Sequence, residues 1–375
     1  MLSSPGLYIH FPWCVKKCPY CDFNSHPIKG VAPQKEYFAA VAEDLTHQQM
    51  TYGSKKYRSV FFGGGTPSLA SPRYIEDVLS ATNLDESAEV TLELNPGALE
   101  FSNLSELRSA GVNRISMGAQ SFNDKHLNSL GRIHESREIF SAFESIRDTG
   151  FTNINIDLMW GLPHQTVTQA IKDLEQALAL EPEHLSWYQL TIEPNTYFHH
   201  HPPPQPDHDT LFEIQQQGQA LLHQHGFNGY EISAYEKNHQ ACRHNINYWE
   251  FGDYLGIGAG AHGKITHSET GSIFRYWNIK HPKRYLQAQA PYQQSLKTLH
   301  PDQLPEEYMM NALRLKRHCS LAAFEERTGL SRQHIESTLQ HLHQEQLITR
   351  DPDKFSLTEL GERFTDNVVM AFLNT

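Results

Sequence analysis

The sequence predicts an α/β protein: a parallel sheet that curls into a barrel or partial barrel, followed by a small C-terminal domain. Three observations carry that prediction. Runs rich in branched and aromatic residues recur at Leu7 to Phe11, Ser59 to Phe62, Glu89 to Leu94, Arg114 to Gly118, Asn153 to Leu158 and His184 to Leu190. Helix-length periodic segments such as Gln34 to Met50 and Val167 to Leu180 separate them, and this alternation sets successive strands parallel, with chemistry at their C-terminal ends. A flat doubly wound sheet satisfies the same alternation. From about Pro301, Ser320 and Ser331 stand where they can cap two short helices, Leu347 to Leu357 reads as a hairpin and Thr358 to Leu373 as a last helix, which together give a winged-helix shape. The expected division is 1–265 for the barrel, 266–300 for a connecting segment and 301–375 for the winged-helix-like domain.

Composition narrows the function. The 375 residues, 39% hydrophobic, suffice for one large core and one small one. A formal net charge of −12 argues against a general nucleic-acid binder, and the winged tail itself holds 8 Lys and Arg against 12 Asp and Glu. A lid or partner-docking domain fits that tail better. No apolar run approaches the roughly 18 residues that span a bilayer, and the N-terminus is not a charged region followed by an apolar one. With only five cysteines, these features imply a cytoplasmic protein in a reducing compartment.

The first strand leads into Y-I-H-F-P-W-C-V-K-K-C-P-Y-C-D-F, Tyr8 to Phe23, where Cys14, Cys18 and Cys21 fall in a C-x3-C-x2-C spacing. Such a loop brings three thiolates onto three corners of an iron–sulfur cube and leaves the fourth iron open, whereas clusters kept for electron transfer take four protein ligands. Lys16 and Lys17 would offset the cluster charge. Zinc with His10 or His26 as fourth ligand, or inert thiols, are the alternatives; zinc sites usually add a second cysteine pair, and Cys242 and Cys319 stand alone. The stretch resembles the signature of the radical S-adenosylmethionine superfamily, and Tyr8, His10, Pro12 and Tyr20 resemble its coproporphyrinogen-dehydrogenase branch. That resemblance implies a partial (β/α)6 barrel, a [4Fe-4S] cluster on Cys14, Cys18 and Cys21, and S-adenosylmethionine at the open iron.

The remaining segments follow the same branch. Gly63-Gly64-Gly65-Thr66-Pro67 closes the second strand, and its glycines let backbone approach a ligand; the resemblance assigns Gly64, Gly65 and Thr66 to the methionine amino group. Glu93, Gln120, Arg132 and Asp157 match residues that hold the ribose, carboxylate and sulfonium of the cofactor, with an ion pair to Arg114 as the structural alternative for the first two. Tyr8 and Tyr20 join that set. Leu185 to Pro194 places Thr191 at the adenine. The run His199-His200-His201 before three prolines reads as a solvated, extended connection, because consecutive side chains fan apart. Leu255 to Gly263 only superficially resembles a dinucleotide fingerprint, and in the branch it closes over the adenosyl group with His262 near adenine.

The segment that discriminates is Cys242-Arg243-His244-Asn245-Ile246-Asn247-Tyr248-Trp249. Its H-N-x-x-Y-W resembles the haem-binding signature of a haem-chaperone group in this branch: an imidazole can ligate iron, and Tyr and Trp can cover a porphyrin. This assigns His244, Asn245, Tyr248 and Trp249 to haem; a histidine hydrogen-bonded beneath core aromatics is the bland alternative. C-x-H is not the C-x-x-C-H of covalent attachment. Phe23 stands where the branch's oxidases carry a further cysteine, and only 13 residues precede Cys14. The expected function is therefore binding haem and passing it to haem proteins, membrane-bound respiratory ones among them, with a homodimer and peripheral membrane contact left open. Radical decarboxylation of coproporphyrinogen III and a cluster-bearing docking scaffold are the rival functions.

Overall fold

The computed structural model describes residues 4–97 and 103–373. Its strands, in chain order, are β1 Gly6–Phe11, β2 Trp13–Cys14, β3 His26–Pro27, β4 Tyr57–Gly64, β5 Leu84–Leu94, β6 Arg114–Gln120, β7 Ile154–Trp160, β8 His184–Gln189, β9 Asn228–Gly229, β10 Ala234–Glu236, β11 Tyr254–Ile257, β12 His262–Thr266, β13 Ile273–Asn278 and β14 Gln293–Thr298. One sheet takes twelve of them, in the order β14-β13-β12-β11-β1-β4-β5-β6-β7-β8-β10-β9. From β11 to β8 every pairing is parallel. Strand alternation sorts the residues of β1: Leu7, Ile9 and Phe11 join the core with Tyr37, Phe38 and Val41 of the helix Gln34–Tyr52, which leaves Tyr8 and His10 on the concave face.

The six expected strands all form, and a seventh parallel strand, β11, docks beside β1. The Gly-rich run explains this close fit, because a Cβ on Gly258, just past β11, would lie 2.6 Å from the carbonyl oxygen of His10 in β1. Asp44 then ties the run to the helix Gln34–Tyr52. Its carboxylate accepts from Gly258 N at 3.1 Å and from the side chains of Asn278 and Tyr285 at 2.8 Å each, and burial pushes it up to about 6. The stretch 266–300, expected as a connection, instead carries β13 and β14, which extend the sheet antiparallel. β14 lies at the sheet edge and is polar almost throughout, and Arg275 and Asn278 interrupt β13, which hides both from a reading tuned to buried parallel runs.

The tail folds around Leu321, Phe324, Leu339, Leu342 and Phe355, a core it shares with Phe251 and Ile273. A three-stranded sheet pairs β15 Cys319–Ser320 with β17 Lys354–Leu357, and β17 with β16 Ile348–Asp351. Ser320 caps the helix Leu321–Thr328 by accepting from Ala323 N. The expected last helix is two short ones, Glu359–Arg363 and Thr365–Met370, broken where Phe364 leaves helical geometry. The histidine run also differs: Tyr197–His200 is a helical turn, because the Thr196 hydroxyl accepts from His199 N. No helix among the described residues is long and apolar enough to cross a membrane.

Candidate functional site

The cysteine loop leaves β1 and returns through the two-residue pairing of β2 with β3. Two glycines seat it. Gly65 donates to Phe11 O at 2.7 Å and a Cβ there would lie 2.3 Å from the Trp13 carbonyl oxygen, while Gly64, at φ +114°, would press one onto the His10 ring at 2.5 Å. The loop's far side is held by Phe198 N, which donates to Pro19 O at 3.0 Å. Cys14, Cys18 and Cys21 are free thiols that open on one cavity of about 450 Å³. Burial first, then the neighbouring thiols, pushes Cys14 up to about 11. Among the described residues no three His, Cys, Asp or Glu side chains converge closely enough for a single metal ion. Both ring nitrogens of His10 are hydrogen-bonded, to Tyr8 Oη and Asn24 O, whereas His26 is bonded through Nε2, to Asn24 Oδ1. Three thiols around a shared space, with no fourth His, Cys, Asp or Glu converging on them among the described residues, fit a cluster with one open iron better than zinc.

The same cavity gathers Tyr20, Gly64, Gly65, Thr66, Glu93, Gln120, Arg132, Asp157 and Thr191. Arg132 donates to Gly118 O at 2.7 Å, to Asn95 Oδ1, and to Cys18 Sγ at 3.8 Å, which links this wall of the cavity to the cysteine loop. Gln120 accepts from Tyr188 Oη at 2.7 Å, and Thr191 donates to Glu193 at 2.9 Å. Glu93 accepts from Gly64 N at 3.1 Å. Asp157 accepts from Ser116 Oγ at 3.1 Å and Asn155 Nδ2 at 2.7 Å. The Arg114 ion pair considered for Glu93 and Gln120 does not form, since the acids beside that guanidinium are Glu89 and Asp157. Asn95, Ser116, Ser186 and Tyr188 complete the wall; the sequence signal for Asn95 was its place two residues beyond Glu93 on the same strand face.

Burial, then the Asp157 carboxyl, pushes Glu93 up to about 8 against the Gly64 hydrogen bond, and burial also raises Asp157. Two adjoining carboxyls that resist ionisation suit a cationic ligand, which would favour their charged forms. Between its ordinary value near 4.5 and about 8 the folded Glu93 keeps a proton that the unfolded chain releases, so its burial costs nothing at low pH, costs more as the pH rises, and reaches its full cost above about pH 8. Glu93→Gln is therefore expected to stabilise the cofactor-free protein at pH 8 by on the order of 2 kcal/mol and to change little at pH 5. Calorimetry at both values checks it, and an equal shift at the two would contradict the assignment.

A second cavity, of about 950 Å³, adjoins the first and shares Gly64, Glu93, Ser116, Asp157 and Ser186 with it. Tyr8 and His262, expected with the cofactor set, line this second space instead, together with His244, Asn245, Tyr248 and Trp249. Strand alternation turns Tyr8 inward, where its ring lies 6.5 Å from that of His244, and the His262 ring stacks on Trp277 at 6.0 Å. The helix Arg243–Trp249 sits against the N-terminal strand ends: its His244 is fully buried, 2.9 Å from Ser59 Oγ through Nδ1 and 2.7 Å from Tyr248 Oη through Nε2. Burial pushes this imidazole down to about 3. Glu89 holds the start of the helix, accepting from Arg243 N and His244 N at 3.1 Å each. Three thiols and the H-N-x-x-Y-W helix thus stand at opposite ends of one interior space.

Comparison with known proteins places this geometry. Residues 8–177 match the Radical SAM superfamily and residues 299–364 the HemN C-terminal domain. The chain is 44% identical to the heme chaperone HemW of Haemophilus influenzae, over 99% of this chain and 98% of that one, and 42% identical to that of Escherichia coli, over 99% of each. A HemW of Bacillus subtilis is 34% identical over 98% of each chain. Among solved structures, the coproporphyrinogen III oxidase HemN of Escherichia coli, described as a radical SAM enzyme, superposes with a TM-score of 0.83 at 23% identity, covering 99% of this chain and 90% of that one. That likeness is one of fold.

Proposed function

Since the chain belongs to the HemW family, we propose that it is a haem chaperone, which binds haem, passes it to haem-dependent proteins, and carries a [4Fe-4S] cluster and S-adenosylmethionine. The observation that carries the reading is the continuity of the interior. The cavity that opens on Cys14, Cys18 and Cys21 and the one that holds the H-N-x-x-Y-W side chains adjoin along Gly64, Glu93, Ser116, Asp157 and Ser186, which line both. Cys14, Cys18 and Cys21 would hold the cluster; Gly64, Gly65, Thr66, Glu93, Gln120, Arg132, Asp157 and Thr191 would seat the cofactor, whose bound sulfonium supplies a positive centre and a reducible carbon–sulfur bond. Within that seat Arg132 presents a fixed cation to a carboxylate, and Glu93 and Asp157 present carboxyls to an ammonium or sulfonium group.

Haem is the cargo. The second cavity offers it aromatic faces from Tyr8, Phe61, Tyr248 and Trp249, with a neutral imidazole at its end. The rival oxidase activity draws only on a likeness of fold, and a docking scaffold would leave the aromatic cavity without a purpose. Anaerobic titration of cluster-loaded protein with haem is expected to give saturable, one-to-one binding, read from the porphyrin absorption band. Absence of saturation would overturn the proposal. Haem-accepting proteins bound to a membrane, and a homodimer, belong to the same proposal and rest on no contact described above.

A further inference from the structure

A third cavity, of about 810 Å³, lies where the helix His208–Gln224 faces the C-terminal domain. Its charge runs against that of the molecule. Arg314, Lys316, Arg317 and Arg363, with His318, line it against the carboxylates of Glu359 and Glu362, in a chain of net charge −12. Arg314 meets Glu231 at 3.2 Å and Arg317 meets Glu250 at 2.7 Å. The exposed Lys316 and Arg363 rest on rings instead, 5.6 Å from Tyr235 and from Phe212 respectively, and neither joins an ion pair among the described residues. Phe212 and Ile232 add apolar surface that is 49% and 41% exposed. The floor is extended chain: Leu315 bridges Glu231 antiparallel, Lys316 N donates to Tyr230 O, and β15 begins at Cys319.

This groove shares a wall with the haem-side cavity. The Arg314 guanidinium lies 4.4 Å over the ring of Trp249, the last residue of H-N-x-x-Y-W. Arg314 Nε and Trp249 Nε1 are both buried without an acceptor, so two adjoining donors on that wall lack what a carboxylate would supply. We infer that the groove docks an acidic, partly apolar segment of the haem-accepting protein, which engages Lys316 and Arg363 and competes for Arg314 beside Trp249. The identity of the occupant as the haem acceptor rests on the haem-chaperone reading. The acidic chemistry rests on the groove alone.

The test uses the full chain and a fluorescein-labelled peptide of alternating glutamate and leucine, followed by anisotropy, beside a separate haem titration. The expected result is saturable peptide binding that weakens at least tenfold in the double variant Lys316→Glu/Arg363→Glu and again when salt rises from about 50 to about 300 mM. Bound peptide is also expected to change tryptophan emission, a change that Trp249→Phe removes, while haem uptake by the double variant stays that of the parent. No peptide binding, or binding indifferent both to charge reversal in this variant and to charge removal in the milder Lys316→Gln/Arg363→Gln, overturns the inference. Self-association that the peptide blocks and charge reversal abolishes would make a second copy of the chain the occupant, which also overturns it. If peptide binds as expected but the parent takes up no haem, the chaperone reading fails and the occupant's identity as a haem acceptor fails with it.

Discussion

Replacing Cys18 by Ala is expected to strip the anaerobically reconstituted protein of nearly all its cluster, seen as loss of the brown absorption and a fall in iron per chain to near zero. Cys18 is the middle ligand of the proposed three, and its sulfur faces the Arg132 guanidinium, the cation best placed to offset cluster charge. Without it, Cys14 and Cys21 cannot hold three corners of a cube. The fold should survive, because the loop is anchored elsewhere, through the glycine contacts at Trp13 and the Phe198 bond to Pro19. Cys319→Ala is the control: that thiol is buried in the C-terminal core and directed at Ala312 O, and its loss should leave the colour intact. Full iron content in Cys18→Ala would sink the ligand assignment.

The second large effect is expected at His244. Both of its ring nitrogens are hydrogen-bonded, Nδ1 with Ser59 and Nε2 with Tyr248, so for iron to take Nε2 the Tyr248 hydroxyl must withdraw. His244→Ala should weaken haem binding at least tenfold, about 1.4 kcal/mol, and shift the porphyrin band through loss of an axial nitrogen. Tyr248→Phe should act the other way, freeing Nε2 and raising the affinity or rate of ligation. Because burial holds the imidazole near 3, it is already unprotonated from pH 5 to 8, and ligation should be flat across that range. If both variants keep the parental spectrum and affinity, His244 is only the hydrogen-bonded core histidine of the bland reading, and the iron ligand lies elsewhere.

What was legible in the sequence follows from how local each signal is. The parallel strands are buried on both faces and read as near-continuous apolar runs, so β1 and β4 through β8 could be placed within a few residues. The cysteine loop was legible because three thiols within eight residues must share one neighbourhood, and all three open on one cavity. The Ser59 contact of His244 spans 185 residues, and the hold of Glu89 on the same helix spans 155; both depend on strand register, which no short motif carries. The same limit applies to Tyr8 and His262: their motif positions were readable, but the cavity each faces is set by which strands become neighbours. The turn at Tyr197–His200 is set by one side-chain hydrogen bond at its start and the break at Phe364 by the backbone angles of one residue, and no hydrophobic pattern carries either.

The wall that the two chambers have in common makes their occupants partners in an equilibrium rather than tenants of separate sites. A cation on one side that returns Glu93 to its charged form also sets that charge against whatever lies on the other side. Any change it makes in the neighbour's affinity must come back to it by the same factor, since the coupling free energy belongs to the pair.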